Sequence, residues 1–152
     1  MSVRLPPDEA WAVLEASHTG IFTSLRRDGM PIALPVWFVL LERRIYVSGP
    51  ANAKRVARIR RDARVSFLVE SGERWAELRA VHLTGRARVV TDTALLARVA
   101  EALERKYRAF RTPRPAMPAA TRAHYEVALA TIEITPDPRL LSWDNARLGP
   151  RD

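Results

Sequence analysis

From Ile21 to Val90 the chain is a series of short apolar runs divided by turn residues, the spacing of antiparallel strands rather than of helices. IFTSL is the first run. RRDG follows, and Asp28-Gly29 between two apolar runs predicts a hairpin into MPIALPVWFVLL. Pro31 and Pro35 cannot donate to a ladder, so this second strand belongs at an edge or carries a bulge. Glu42-Arg43-Arg44 predicts a tight turn into RIYVSG, the third strand. RVSFLVE is a fourth, Ser71-Gly72-Glu73 a turn, and ELRAVHLTGRARVV a long fifth. YEVALATIEIT is read as the last strand, followed by the tail PDPRLLSWDNARLGPRD.

Three segments change period. The first helix begins at Pro6-Pro7, with Asp8 and Glu9 at the positive end of its dipole, and ends near His18-Thr19-Gly20. ANAKRVARIRRDA predicts a short helix between the third and fourth strands. Lys54, Arg58 and Arg61 share one face, Arg55 lies beside them, and Val56 and Ile59 point the other way. Asp92 or Thr91 caps a longer helix with the stripe Leu95, Leu96, Val99, Leu103, Tyr107 and Phe110. RTPRPAMPAATR is a proline-rich loop. Five or six strands with few helices between them exclude a doubly wound sheet and predict a small closed or split barrel, in one domain over residues 1–152.

Charge sharpens this picture at one place. The chain holds 25 basic and 17 acidic residues, a net charge of +8. Arginine accounts for 23 of the 25 and alanine is abundant, a compositional bias that makes much of the excess background. GPANAKRVARIRR, residues 49–61, is denser: five basic residues and no acid. As a groove-reading helix it is short and lacks a helix-turn-helix partner. As an anion site it has a strand ending at Ser48-Gly49, a turn at Pro50, and a helix N-terminus with free N–H groups. Lys54 supplies a point charge, and Arg55 and Arg58 add forked contacts. The bland alternative is a solvated basic face.

Other chemistry is sparse. With no cysteine there are no disulfides or thiolate metal sites, and His18, His82 and His124 share no ligand spacing, so no metal is expected. GxSxG, Walker A and GxGxxG motifs are absent, and no catalytic residue can be named. Trp37 and Phe38 fall on opposite faces of a strand, which lets one lie beside a flat ligand while the other packs inside. Trp143 stands among polar residues in the tail, where it can fold over a site or over a partner subunit. MSVRLPPDEAW lacks the apolar core of a signal peptide and no run is long enough to span a membrane, so a soluble cytoplasmic protein is expected.

The ordered series DG-x-P, PVWF, K-x-x-x-x-RRD-x-RVS and LTGRA resembles the pyridoxamine 5′-phosphate oxidase-like split-barrel superfamily, and more narrowly its deazaflavin (F420)-dependent oxidoreductase branch. The likeness runs from about residue 8 to residue 110 and returns at IEITPDPRLLSWDNARLG. It implies a mainly β fold, a six-stranded antiparallel split barrel with peripheral helices, in a homodimer with cofactor sites at the subunit interface. It implies F420, or alternatively FMN, with the phosphate held by Ser48, Asn52, Lys54, Arg55 and Arg58. Pro35, Val36, Trp37 and Phe38 would run beside the ring system, and Trp143 would reach in from the tail. The implied activity is hydride transfer between the deazaflavin and a small organic substrate; the alternatives are an FMN oxidoreductase or a non-catalytic carrier. The substrate arginine and histidine motifs of the pyridoxal-phosphate-forming enzymes are not found in RLLSWDNARLG, which argues against vitamin B6 synthesis. No nucleic-acid or membrane partner is expected.

Overall fold

The computed structural model describes residues 2–149, so Met1 and the last three residues of the tail lie outside the description. Eight strands form one antiparallel sheet: β1 (Gly20–Leu25), β2 (Pro31–Val36), β3 (Val39–Leu41), β4 (Arg44–Pro50), β5 (Arg64–Ser71), β6 (Arg79–Val89), β7 (Leu129–Pro136) and β8 (Leu141–Asp144). Four helices flank it: α1 (Pro7–Ala16), α2 (Lys54–Arg61), α3 (Thr93–Tyr107) and α4 (Ala119–Tyr125).

The pairing order is β2-β1-β5-β6-β7-β4-β3. Its two ends, β2 and β3, are separated in sequence only by Trp37 and Phe38. Three residue steps from Val36 to Val39 span at most about 10 Å. Seven strands at about 4.8 Å each would lie flat across roughly 29 Å from first to last. The sheet therefore has to roll until its ends meet, and it becomes a barrel split at residues 37–38. This is why MPIALPVWFVLL, which reads as one strand, is two: the same segment serves both edges of the split.

The strand β6 holds the other side. One edge pairs with β5 from Arg79 to Arg86, and the opposite edge changes partner along its length. Gly85 pairs with Pro136 of β7, whereas His82 pairs with Leu141 of β8. Three steps on β6 thus face five on the returning chain, a two-residue bulge. Gly85 permits it, because a Cβ there would fall 2.4 Å from the Thr135 carbonyl oxygen. Asp137 fills the bulge, donating its N–H to the Thr84 carbonyl at 2.8 Å and accepting from the Thr84 hydroxyl at 2.6 Å. The segment after β7 is therefore not a tail, as the sequence suggested, but an eighth strand carrying Trp143. YEVALATIEIT likewise divides, since Tyr125 ends α4 and the strand starts at Leu129.

Inward-facing residues fill the barrel: Phe22, Phe38, Ile45, Val47, Phe67, Val81, Leu83, Ile132 and Ile134, with Leu14 of α1 and Val56 and Ile59 of α2. Each large aliphatic or aromatic side chain buried in this way contributes about 1.5–3 kcal/mol. The helix α3, capped by the Asp92 carboxylate accepting from the Leu95 N–H at 2.9 Å, packs Val99, Leu103 and Tyr107 on the outside against Val39 and Tyr46. Phe110 leaves the expected stripe: it sits in a 3₁₀ turn beyond the helix, mostly exposed. No helix among the described residues is long and apolar enough to cross a membrane.

One buried charge lies under α3. The Glu133 side chain is 3% exposed, accepting from Arg88 at 2.8 and 3.3 Å and from the Tyr46 hydroxyl at 2.8 Å. Burial alone would raise its carboxyl, but the hydrogen bonds from Arg88 and Tyr46 and the charges of Arg88 and Arg44 hold it below 4.5. The same burial and the Glu133 charge push Tyr46 up to about 12. A carboxylate depressed in the folded state gives its full stabilisation above its unfolded value and loses it as pH falls through its folded value. Glu133→Gln should therefore lower stability at pH 7 by about 1–3 kcal/mol, less than for a fully buried pair because Arg88 stays half in water. In urea unfolding, the gap between wild type and variant should narrow below pH 4.5; a gap of constant size down to pH 3 would refute the ionic role.

Candidate functional site

The strand β4 ends at Pro50, the chain turns through Ala51-Asn52-Ala53, and α2 begins at Lys54. Ala53 gives the helix no side-chain cap; the Val56 N–H is taken by the Ala53 carbonyl at 3.0 Å, and the positive dipole end lies at Lys54. Val56 and Ile59 are 3% exposed and anchor the helix to the barrel, which turns Lys54, Ala57, Arg58 and Arg61 outward along one face. That face does not stand alone. Arg26, Arg27 and Asp28 at the tip of the β1–β2 hairpin oppose it, and the two walls border a shallow, open cleft of about 460 Å³.

The seven lining residues bring five cations and one acid together. Arg26 is engaged with Asp28 at 2.5 Å, and this hydrogen bond holds the Asp28 carboxyl below its ordinary value. Arg61 donates to the Leu25 carbonyl at 3.0 Å, tying the end of α2 to β1. Lys54, Arg58 and Arg27 form no ion pair among the described residues. Arg55 departs from this group. Its guanidinium folds back over β4, so close that a Cβ on Gly49 would fall 2.3 Å from Nη2. Asn52 is exposed in the turn. The Ser48 hydroxyl is half-buried, 3.2 Å from the Thr131 hydroxyl and 3.5 Å from the Ala130 carbonyl. Cations without an ion pair among the described residues, beside a helix start without a side-chain cap, are groups that can attract an anion.

The second group of expected residues lies at the barrel split. Val36 and Phe38 turn into the core, at 6% and 0% exposure, and Pro35 and Trp37 face outward. Phe38 is held from α3 on both backbone groups. Its N–H donates to the Tyr107 hydroxyl at 2.8 Å, and its carbonyl lies 2.8 Å from the same hydroxyl and 2.9 Å from Lys106 Nζ. The hydroxyl also reaches the His18 carbonyl at 2.8 Å. The Tyr107 ring stacks on Trp37 with centroids 4.4 Å apart and planes at 2°. Burial lowers Lys106 to about 8, so it is still mostly protonated at neutral pH and remains a donor. Sequence reading placed Tyr107 in an apolar stripe and passed over Lys106, because nothing local shows that α3 crosses the split.

Trp143 is distant from the cleft within one chain. It pairs with Ala80, opposite Glu70, whereas α2 leads into the Arg64–Arg86 end of the same ladder. Six residue steps, about 20 Å, separate the two ends. Trp143 instead joins the outer sheet face on which Pro35, Ile21, Leu68, His82 and Leu141 form one cross-strand row over five strands. The structure thus unites Lys54 and Arg58 in the cleft and gives Pro35 and Trp143 a common outer face. It adds Arg26 and Arg27, which the sequence showed only as turn residues. Among the described residues no group of three His, Asp or Glu could hold a metal ion.

A rolled antiparallel sheet split at one seam, with a helix closing the interior beside a basic cleft, is the split-barrel class. The chain belongs to the pyridoxamine 5′-phosphate oxidase family, whose profile matches residues 6–136. Among solved structures it is similar to a conserved hypothetical protein from Mycobacterium tuberculosis, at 25% identity and TM-score 0.81, over 99% of this chain and 92% of that one. It shares its fold with a FAD-binding protein from Mesorhizobium loti, at 17% identity and TM-score 0.68, over 91% and 93% of the two chains. It shares it also with a heme storage protein from Vibrio cholerae, at 12% identity and TM-score 0.65, over 96% and 99%. No curated protein matches it in sequence.

Removing the hydroxyl that bridges the split should be costly. Tyr107→Phe keeps the ring stack but strands the Phe38 N–H, and should cost about 1–3 kcal/mol. A urea midpoint unchanged from wild type would show that the bridge contributes nothing.

Proposed function

We propose that this protein is an F420-dependent oxidoreductase that acts on a small organic substrate. The observation that carries the reading is the pair of cations, Lys54 and Arg58, which form no ion pair among the described residues and stand beside the uncapped start of α2 at the end of β4. Such an arrangement binds a phosphate, and in this family a phosphate belongs to a flavin-type cofactor. Lys54 and the positive dipole end of α2 hold the charge, with Asn52 and Ser48 lining the approach and Arg55 bracing the turn from above Gly49. Pro35 and Trp37, on the outward side of the split, border the cofactor's ring. When bound, the reduced deazaflavin supplies the hydride for an electron-poor C=C or C=N bond. The chain's part is to orient the ring, neutralise the phosphate and keep the segment at 35–38 rigid through Tyr107 and Lys106.

The working unit in this proposal is a homodimer. The outer row Pro35, Ile21, Leu68, His82 and Leu141, with Trp143 beside it, is largely apolar and half-exposed, a surface suited to a second copy. Pairing through it would carry the partner's Trp143 toward the site from which it is remote within one chain. The basic cleft is a short track bounded by strands, with no helix set to enter a nucleic-acid groove, so the ligand is a small molecule and not DNA, RNA or a membrane.

Two measurements test this. Purified protein titrated with F420 and with FMN should bind F420 more tightly; retention of FMN through purification with no F420 binding would make it an FMN protein. Lys54→Ala should weaken binding of the preferred cofactor by about tenfold while leaving the thermal midpoint unchanged, since Lys54 is exposed and forms no ion pair among the described residues. Unchanged affinity would remove the phosphate site. Oxidation of the bound, reduced cofactor by members of a panel of enones, quinones and nitroaromatics is expected; inertness toward all of them would leave a carrier in place of an enzyme.

A further inference from the structure

We infer that His18 is the general acid of the proposed reaction, giving the proton that completes reduction of a small conjugated carbonyl or imine substrate at the barrel split. The inference rests on the redox reading above and adds a catalytic residue to it.

A hydride alone leaves the reaction unbalanced. The electron-poor carbon of a C=C or C=N bond takes the hydride with its electron pair from the reduced deazaflavin. The π pair moves to the neighbouring atom, and that atom needs a proton. The donor must come within about 2.6–3.2 Å of it and be protonated near neutral pH. Transfer from an imidazolium ends with a saturated bond, a neutral imidazole and the oxidised cofactor.

The residues round the split leave one such group. Tyr107 is fully buried. Its hydroxyl accepts from the Phe38 N–H and lies 2.8 Å from both the Phe38 and the His18 carbonyls, and burial pushes it above its ordinary value. The Lys106 ammonium donates to the Phe38 carbonyl at 2.9 Å and lies 3.9 Å from the centre of the Phe38 ring, so losing its proton would loosen the link it holds. Arg108 and Arg111 are paired with Glu104 at 3.4 and 3.1 Å, and a guanidinium keeps its proton. A carboxylate only accepts, which sets aside Glu104 and also Glu15, the acid of α1 whose charge acts on Lys106. Pro35, Trp37, Phe38 and Phe110 carry no acid.

His18 remains. It lies exposed between α1 and β1, and aromatic rings hold its imidazole from three sides. Centroids are 5.8 Å away at Trp37, 5.2 Å at Tyr107 and 4.4 Å at Phe110, with planes at 77°, 75° and 65°. Its backbone is tied at the same point, where its carbonyl meets the Tyr107 hydroxyl. Among the described residues the imidazole forms no hydrogen bond or ion pair, so its nitrogens are open to a ligand. Trp37 and Phe110 are exposed beside it. A flat conjugated molecule lying against the exposed part of Trp37 therefore has a held imidazole at its edge. Histidine is the side chain whose charge changes near neutrality, a match to the task that water, a far weaker acid, lacks.

Reduction of cyclohex-2-enone by the protein loaded with reduced F420 should be followed between pH 5 and 8 for wild type, His18→Gln and His18→Ala. Wild-type kcat should fall as pH rises, because an acid must be protonated to act. His18→Gln should lower kcat by about 100-fold or more, remove that pH dependence and leave KM within about twofold. Added imidazole should restore about tenfold or more to His18→Ala, which a merely structural ring would not show. Without turnover, the same enone added to protein holding oxidised F420 should shift the imidazole Cε1–H resonance that His18→Gln lacks, and leave those of His82 and His124 in place. If wild type reduces the enone and His18→Gln does so at the same rate with the same pH profile, the redox reading stands and His18 is not its acid. If wild type fails to reduce the enone, the inference falls; if it also binds no F420, the redox reading falls with it. His18 is exposed, so both variants should unfold close to the wild-type midpoint, which separates lost proton transfer from a lost fold.

Discussion

The molecule turns on a two-residue link. The strands β2 and β3 end the sheet on opposite sides, yet only Trp37 and Phe38 lie between them. A chain that short cannot bridge an open seven-strand sheet, so the sheet must roll. Rolling leaves the backbone of the link outside any ladder, and an unpaired buried amide is expensive. The hydroxyl of Tyr107 and the ammonium of Lys106 resolve this by taking the Phe38 N–H and carbonyl from the side of α3. The outer helix is therefore part of the barrel's closure rather than decoration upon it. Closure by two side chains also keeps Phe38 packed on Phe67, with ring centroids 4.8 Å apart in the interior.

The candidate site follows from this closure. Rolling brings the β1–β2 hairpin round toward α2, where Val56 and Ile59 seal the barrel and their helix turns its charged face to the hairpin tip. The same roll leaves the outer face of β2, β1, β5, β6 and β8 as one half-exposed surface. Charge collects in one place and apolar surface in another.

How legible each part was depended on whether its cause was local. The helix α2 declared itself by period and by charge, and its buried pair and outward face are as read from ANAKRVARIRRDA. The hairpins at Asp28-Gly29 and Glu42-Arg43 were equally plain, and of the two candidate caps, Asp92 and Thr91, Asp92 is the one that caps α3. The strand β8 was not, because LSWD is four residues long and follows PDPR; only the open edge of β6 makes it a strand. Arg26 and Arg27 looked like turn residues because their partner helix is thirty positions away in sequence. Arg55 was grouped with Lys54 by sequence proximity, and the glycine at 49 instead lets it fold the other way.

By itself the sequence determined the elements, their hydrophobic faces, the ordered series that marks the family, and the dense charge at residues 49–61. Those features depend on residues a few positions apart, where the period and turn chemistry act. The tertiary structure alone decided that one long strand is two, that the tail is an eighth strand, which cations are free, and that a hairpin tip completes the cleft. Each of these depends on pairing across the barrel, where a single glycine at 85 and a single hydroxyl at 107 set geometry between segments that share no local pattern.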